Sequence, residues 1–200
     1  MNVCALVPQK SLAIAKGRLS AVLSRAARAQ LSLRLLQSVC RALGAVDAVK
    51  SVTVMTPDPD VQRHAACWGV QATIDPRPDL NAALAVLLAG LAGPDHGLLV
   101  VAADLPLLRP SDVAALIARG APRNVVLAAS KDGTGTNALL LPPGVAMAPA
   151  YGPGSLFAHR ERARHLGLSL VEIRRPGLGF DVDTPGDLTG LERMGWSEAR

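Results

Sequence analysis

The sequence predicts a single-domain, Rossmann-like α/β fold, a doubly wound and mostly parallel sheet with helices on both faces. Three observations carry this expectation. Short aliphatic or β-branched runs alternate with longer stretches of helical periodicity, the order of successive βαβ units. The chain has 200 residues, half of them apolar, which suffices to bury one core without disulfides or metal staples. Polar and charged residues cluster just after the predicted strands, where an open α/β sheet binds its ligands.

Taken in order, Val3–Val7 reads as the first strand, followed by an amphipathic helix marked by Leu31, Leu35 and Val39, with Leu36 and Leu43 on its flank. Ser51–Thr56 is the second strand, and a helix follows over Asp58–Trp68. Thr56 and Asp58 at its start are read as helix-start residues rather than ligands, because a hydroxyl or carboxylate there accepts from free N–H groups. Val70–Ile74 is the third strand, leading to a helix over Leu80–Leu91. Strands at Leu98–Ala102, Val125–Ala129, Asn137–Leu141 and Leu168–Ile173 complete the sheet. Helices at Pro110–Arg119, Leu156–Leu166 and Pro185–Met194 accompany them, two of them opening on proline, whose missing N–H costs nothing at a first helical position. There is no repeat, low-complexity tract or interdomain linker, so one domain over residues 1–200 is expected.

Composition excludes several functions. Cys4, Cys40 and Cys67 are odd in number and lack metal-ligand spacing, so they are expected to be buried thiols. The N-terminus enters an apolar run at Val3 without a basic leader, and the nearly apolar stretch Ala82–Gly93 is too short to span a bilayer. A cytoplasmic protein with no membrane role is expected. A net charge of +5 favours anionic partners, but aromatics make up only 2% of the chain, too few for a base-stacking platform. Small phosphorylated ligands therefore suit it better than nucleic acid.

Four segments could carry chemistry. The loop after the first strand holds Lys10, Lys16 and Arg18, three cations suited to a triphosphate, without the spacing of a Walker A loop. Asp104 ends a hydrophobic strand, where a carboxylate needs a cation; Mg²⁺ bridging nucleotide phosphates is the economical choice, since this ion takes one or two carboxylates plus phosphate oxygens. In Phe180-Asp181-Val182-Asp183-Thr184-Pro185-Gly186-Asp187, Thr184 and Asp187 form a capping-box-like pair, which leaves Asp183 as the second metal candidate and Asp181 as a third. Thr134-Gly135-Thr136-Asn137 and Gly152-Pro153-Gly154-Ser155 place hydroxyls and exposed backbone where an anion could dock, with a helix N-terminus opening at Ser155. His64, His96, His159 and His165 are expected at the surface, and no nucleophile–base pair is readable.

Together, Val7-Pro8-x-Lys10 through Lys16-x-Arg18-Leu19, Thr56-Pro57-Asp58, Leu80-Asn81-Ala82-Ala83-Leu84, Asp104-Leu105-Pro106-Leu107-Leu108, the Gly-Thr-Gly-Thr and Gly-Pro-Gly-Ser pair and Asp181-Val182-Asp183-Thr184-Pro185 resemble the 2-phospho-L-lactate guanylyltransferase family. The resemblance runs from Val3 to about Leu191. It implies a nucleotidyltransferase of the nucleotide-diphospho-sugar transferase type, related to the molybdenum-cofactor guanylyltransferases. It also implies transfer of GMP from GTP, with Mg²⁺, to a phosphorylated three-carbon acid (2-phospho-L-lactate, phosphoenolpyruvate or 3-phosphoglycerate) in making coenzyme F-420. By resemblance, Lys10, Lys16 and Arg18 hold the triphosphate, Leu80 and Asn81 lie near the guanine, and Asp104 and Asp183 bind the metal with Asp181 in reserve. Thr136, Asn137, Gly152 and Ser155 hold the acceptor. Asp79 stands where the family usually carries glycine before the Leu-Asn pair. A homodimer is compatible with this reading. Two alternatives stay open: a nucleotidyltransferase of the same fold with a molybdopterin or sugar-phosphate acceptor, and a non-catalytic nucleotide- or RNA-binding module.

Overall fold

A computed structural model describes residues 1–74, 79–91 and 95–196. Seven strands form one sheet in the order β3-β2-β1-β4-β6-β5-β7. They are β1 (Asn2–Pro8), β2 (Val49–Thr56), β3 (Gln71–Ile74), β4 (His96–Val101), β5 (Asn124–Ala129), β6 (Thr136–Leu141) and β7 (Ser169–Glu172). The helices are α1 (Arg25–Gly44), α2 (Pro59–Cys67), α3 (Leu80–Leu91), α4 (Pro110–Ile117), α5 (Ser155–His165), α6 (Pro176–Gly179) and α7 (Pro185–Arg193). The nearly apolar stretch Ala82–Gly93 runs past the described residues at its end.

The sheet alternates its side chains between two cores, as the period of two along a strand requires. Val3, Ala5 and Val7 of β1, with Leu99 and Val101 of β4, pack with Leu36, Val39 and Leu43 of α1, Val61 of α2 and Leu116 of α4. Leu6, Leu98 and Val100 face the other way, against Leu84 and Leu88 of α3 and Leu156 and Ala163 of α5. Helices thus cover both faces, as the sequence predicts. Each fully buried leucine here contributes roughly 1.5–3 kcal/mol of transfer free energy.

Helix boundaries follow local chemistry. Ser24 caps α1, its hydroxyl accepting from the Ala27 N–H at 3.2 Å. Asp58 caps α2 by accepting from the Asp60 N–H at 2.9 Å, and Thr56 Oγ1 accepts from the Asp58 N–H. The short α6 is not foreseen from sequence: four residues opening on Pro176 hold too little periodicity to read.

β6 runs antiparallel to both β4 and β5. The reason is reach. Only residues 130–135 separate β5 from β6, too few for a parallel crossover, so they close a hairpin around Asp132, whose carboxylate accepts from Ser130 Oγ at 2.5 Å and the Thr134 N–H at 3.0 Å. The register pairs Val101 with Ala138, which sets Thr136 and Asn137 beside the carboxyl end of β4. Residues 142–154 then travel back along the fold with no helix or strand, anchored by the buried Met147 and Ala150, to start α5.

Candidate active site

The carboxyl ends of β1, β2 and β4, with the start of β6, border a cavity of about 550 Å³. Lys16 is on its wall, between two carboxylates. The ammonium contacts Asp104 Oδ2 at 2.5 Å and Asp183 Oδ1 at 3.1 Å, and its side chain is only 8% exposed. Burial alone would pull the Lys16 pKa down, but the Asp104 and Asp183 carboxylates more than offset it and the net shift is upward. Lys16 also adopts φ 53, ψ 38, a left-handed conformation that costs a side-chain-bearing residue roughly 1–2 kcal/mol, and it caps a 3₁₀ turn at Gly17–Leu19.

Asp104 follows β4, and Asp183 sits immediately before α7. Asp187 accounts for the Asp183 backbone: its Oδ2 accepts from the N–H groups of Asp183 at 3.0 Å and Thr184 at 2.7 Å, while Thr184 Oγ1 accepts in return from the Asp187 N–H. This is the capping box read from sequence, with Lys131 added as an ion-pair partner to Asp187. Asp181 is half-buried beside the same cluster. Its pKa is raised, first by burial and further by the Asp104 charge, against a hydrogen bond from Asn137.

Two carboxylates that converge on one ammonium also fit a magnesium ion, whose preferred donors are carboxylate and phosphate oxygens. Asp104 and Asp183 are the residues that would hold it. Among the described residues no group of three or more His, Cys, Asp or Glu side chains forms a metal cage.

The cavity wall includes Lys10, Lys16, Leu80, Asp104, Thr136 and Asp183 of the expected residues. Lys10 is exposed at its rim. The others take positions beside it. Arg18 is 75% exposed and stands 3.6 Å from Asp183. Asn81 spends its carboxamide on Tyr151, donating to the carbonyl at 2.8 Å and accepting from the N–H at 2.7 Å. Asn137 donates to the carbonyl of Leu178 at 3.1 Å and to Asp181 Oδ1 at 3.3 Å, bracing the Asp181–Asp183 segment. Ser155 is 2% exposed and its Oγ accepts from the Thr136 N–H at 2.9 Å.

The N-terminus of α5 differs from the expected open anion site. The Ser155 N–H donates to the Gly152 carbonyl and the Leu156 N–H to the Thr134 carbonyl, so two of its first donors are taken by the flanking loops. Gly152 at φ 132 and Gly154 at φ 70 take backbone conformations that favour glycine.

Some residues escape the sequence reading. Gln9 and Ser32 are buried on the cavity wall, and the Ser32 and Tyr151 hydroxyls have no partner among the described residues. Tyr151 is the sole tyrosine and directly precedes Gly-Pro-Gly-Ser, a signal that could have singled it out. His159 corrects the expectation of surface histidines: it is 0% exposed, 5.0 Å from the Tyr151 ring and edge-on to it. Its position one turn after Ser155 was the legible clue. Cys67 is exposed rather than buried. The basic run of α5 is used internally: Arg160 pairs with Glu172, Arg164 with Glu161, and Arg162 donates to the Ala148 carbonyl.

Sheet order, helices on both faces and a cation-centred cleft at the strand ends define a nucleotide-diphospho-sugar transferase type of α/β domain. Solved structures share this fold. A nucleotidyl transferase from Methanothermobacter thermautotrophicus superposes with a TM-score of 0.69 at 15% identity, covering 96% of this chain and 97% of that one. A CMP:2-keto-3-deoxy-manno-octonic acid synthetase bound to CTP gives 0.61 at 15% identity, covering 98% of each chain. The family model "Guanylyl transferase CofC like" matches residues 3–196. Phosphoenolpyruvate guanylyltransferases of Sphaerobacter thermophilus and Rubrobacter xylanophilus are 40% and 39% identical, covering 96% and 100% of this chain and 93% and 98% of their own. The chain belongs to the CofC-like guanylyl transferase family.

Proposed function

We propose that this protein transfers GMP from GTP to phosphoenolpyruvate, releasing pyrophosphate, and that the reaction serves coenzyme F-420 synthesis in the cytoplasm. The observation that carries the reading is Lys16 held between Asp104 and Asp183 on the cavity wall. The names of the Sphaerobacter and Rubrobacter relatives support phosphoenolpyruvate as acceptor over 2-phospho-L-lactate and 3-phosphoglycerate. One domain, working alone or as a homodimer, suffices for this chemistry.

An acceptor phosphate oxygen attacks the α-phosphorus of GTP in line; the new P–O bond forms as the bond to the β-phosphate breaks, and pyrophosphate departs. No general base is needed, because a phosphate monoester is already largely ionised near neutral pH. Lys10, Lys16 and Arg18 bind and orient the triphosphate and reduce the repulsion between two anions. Asp104 and Asp183 would hold Mg²⁺, which would supply Lewis-acid neutralisation of the transferring phosphate. Leu80 and Ala83 provide an apolar wall for the base, with Asn81 fixing the loop beside it. Thr136 and the Gly152–Ser155 loop flank the acceptor.

The deciding experiment measures pyrophosphate release from GTP and Mg²⁺ with each of the three acids in turn. Turnover with phosphoenolpyruvate is expected. Turnover with a sugar phosphate or a molybdopterin instead, and with none of the acids, would overturn the acceptor assignment.

A further inference from the structure

His159 is not itself a lining residue of the cavity but packs behind two that are, Thr136 and Tyr151, and its two ring nitrogens are both committed. Nε2 lies 2.9 Å from the Ala150 N–H, and an amide N–H can only donate. Nε2 must therefore accept, which leaves the ring proton of a neutral imidazole on Nδ1. Burial first, and the nearby Arg162 charge second, hold the His159 pKa down to about 4, so the ring is neutral at physiological pH.

Nδ1 lies 3.0 Å from Thr136 Oγ1. With the proton on Nδ1, facing both Thr136 Oγ1 and the Ser155 carbonyl, Thr136 cannot donate to the ring, and its own hydroxyl proton is free for a partner elsewhere. Thr136 lines the cavity. The neighbouring Ser155 Oγ is constrained in the same sense, since it accepts from the Thr136 N–H. Two adjacent hydroxyls thus each face an obligate donor and retain a proton to give. Hydroxyls free to rotate could present lone pairs to an anion; these two are biased to present protons.

We infer that His159 is a positioning residue that fixes the Thr136 hydroxyl as a hydrogen-bond donor to the acceptor's anionic group. The inference rests on the proposed function, because it takes the ligand beside Thr136 to be the phosphorylated acid. Through its Ala150 bond and its edge-on contact with Tyr151, the same imidazole also holds the loop that brings Tyr151 to the cavity wall.

A coupling measurement tests this. His159→Phe is expected to raise the KM for phosphoenolpyruvate about tenfold while leaving the KM for GTP within about twofold, the size of a lost hydrogen bond to a charged group. Thr136→Val should do the same. In the double variant the acceptor KM should match that of Thr136→Val alone, because the histidine acts through the hydroxyl. His159→Asn, which can place an amide donor near the Nδ1 position, should recover part of the loss. Multiplying effects in the double variant would overturn the inference.

A second measurement does not depend on the variants folding. The ¹⁵N spectrum of the wild-type imidazoles should show His159 as the neutral Nδ1–H tautomer from about pH 5.5 to 8. An Nε2–H tautomer or an imidazolium would overturn the inference whatever the kinetics. If wild-type enzyme shows the expected tautomer but turns over none of the three acids, the failure lies in the proposed acceptor, and the donor role assigned to Thr136 falls with it.

Discussion

Asn81 binds both backbone groups of Tyr151, its Nδ2 donating to the carbonyl at 2.8 Å and its Oδ1 accepting from the N–H at 2.7 Å. One carboxamide thereby fastens α3, on the side of the cavity proposed for the nucleotide, to the Tyr151 loop proposed to flank the acceptor. The pairing uses the full reach of a carboxamide, so neither Asp nor Leu can replace it.

Asn81→Ala is expected to destabilise the fold by about 1–2 kcal/mol, because it leaves a part-buried N–H and carbonyl without partners. The acceptor KM should rise more than the GTP KM. Urea denaturation and steady-state kinetics with each substrate varied would check both; a defect confined to GTP would place this residue at the base instead.

Asp104→Asn should lower activity by about two orders of magnitude or more while the circular dichroism spectrum stays native. The amide keeps the volume but loses the charge that pairs with Lys16 and would bind Mg²⁺. Equal activity at saturating Mg²⁺ would remove Asp104 from the metal set.

Asp187 gives a pH prediction. Its pKa is lowered to about 2; burial opposes this, and hydrogen bonds from Lys131 and from the Asp183 and Thr184 N–H groups outweigh it. A depressed carboxylate contributes stability above its unfolded pKa of about 4 and loses it as pH falls toward 2, a contribution on the order of 2 kcal/mol. Asp187→Asn should therefore lower Tm near neutrality, with the deficit shrinking progressively from about pH 4 to pH 2. A pH-independent deficit would mean that shape rather than charge matters there.

Gly177→Ala should destabilise by about 1–3 kcal/mol. A Cβ at this position would meet Asp112 Oδ2 at 2.1 Å and the Leu107 carbonyl at 2.6 Å, and Asp112 is itself pinned by Arg175 Nε at 2.6 Å, so nothing can yield cheaply. Chemical denaturation would measure it, and an unchanged midpoint would show that the α6 turn shifts to accommodate the methyl.

Thiol reactivity should separate the cysteines. Cys67 is exposed and should react at once with a disulfide reagent, whereas burial pushes the Cys40 thiol up to about 12 and it should react only on unfolding.

The sequence carried the sheet and its helices because β1, β4 and β5 are short, aliphatic and bounded by polar turns, and because Ser24, Asp58 and Thr184 announce their helices. It also singled out Lys16, Asp104 and Asp183, which the fold brings together, since charged residues at the ends of apolar runs stand out against the pattern. Side-chain destinations were less legible. Whether Asn81 or Asn137 faces a ligand or a carbonyl depends on partners 70 and 41 residues away, and periodicity is silent on such distances. His159 was missed for the same reason: an i+4 spacing from Ser155 puts it on a helix face without saying that the face is sealed.

The reversal of β6 has a consequence for how this architecture diversifies. Because that strand leaves the catalytic edge, the chain must return along residues 142–154 before it can place Tyr151 and Gly152. The far bend of that return, at the open, left-handed Gly144, lies off the cavity wall. Length changes there would reach the Tyr151 side of the cavity only through the Met147 and Ala150 anchors, so the strap can lengthen or shorten and reshape that wall while Lys16, Asp104 and Asp183 stay untouched.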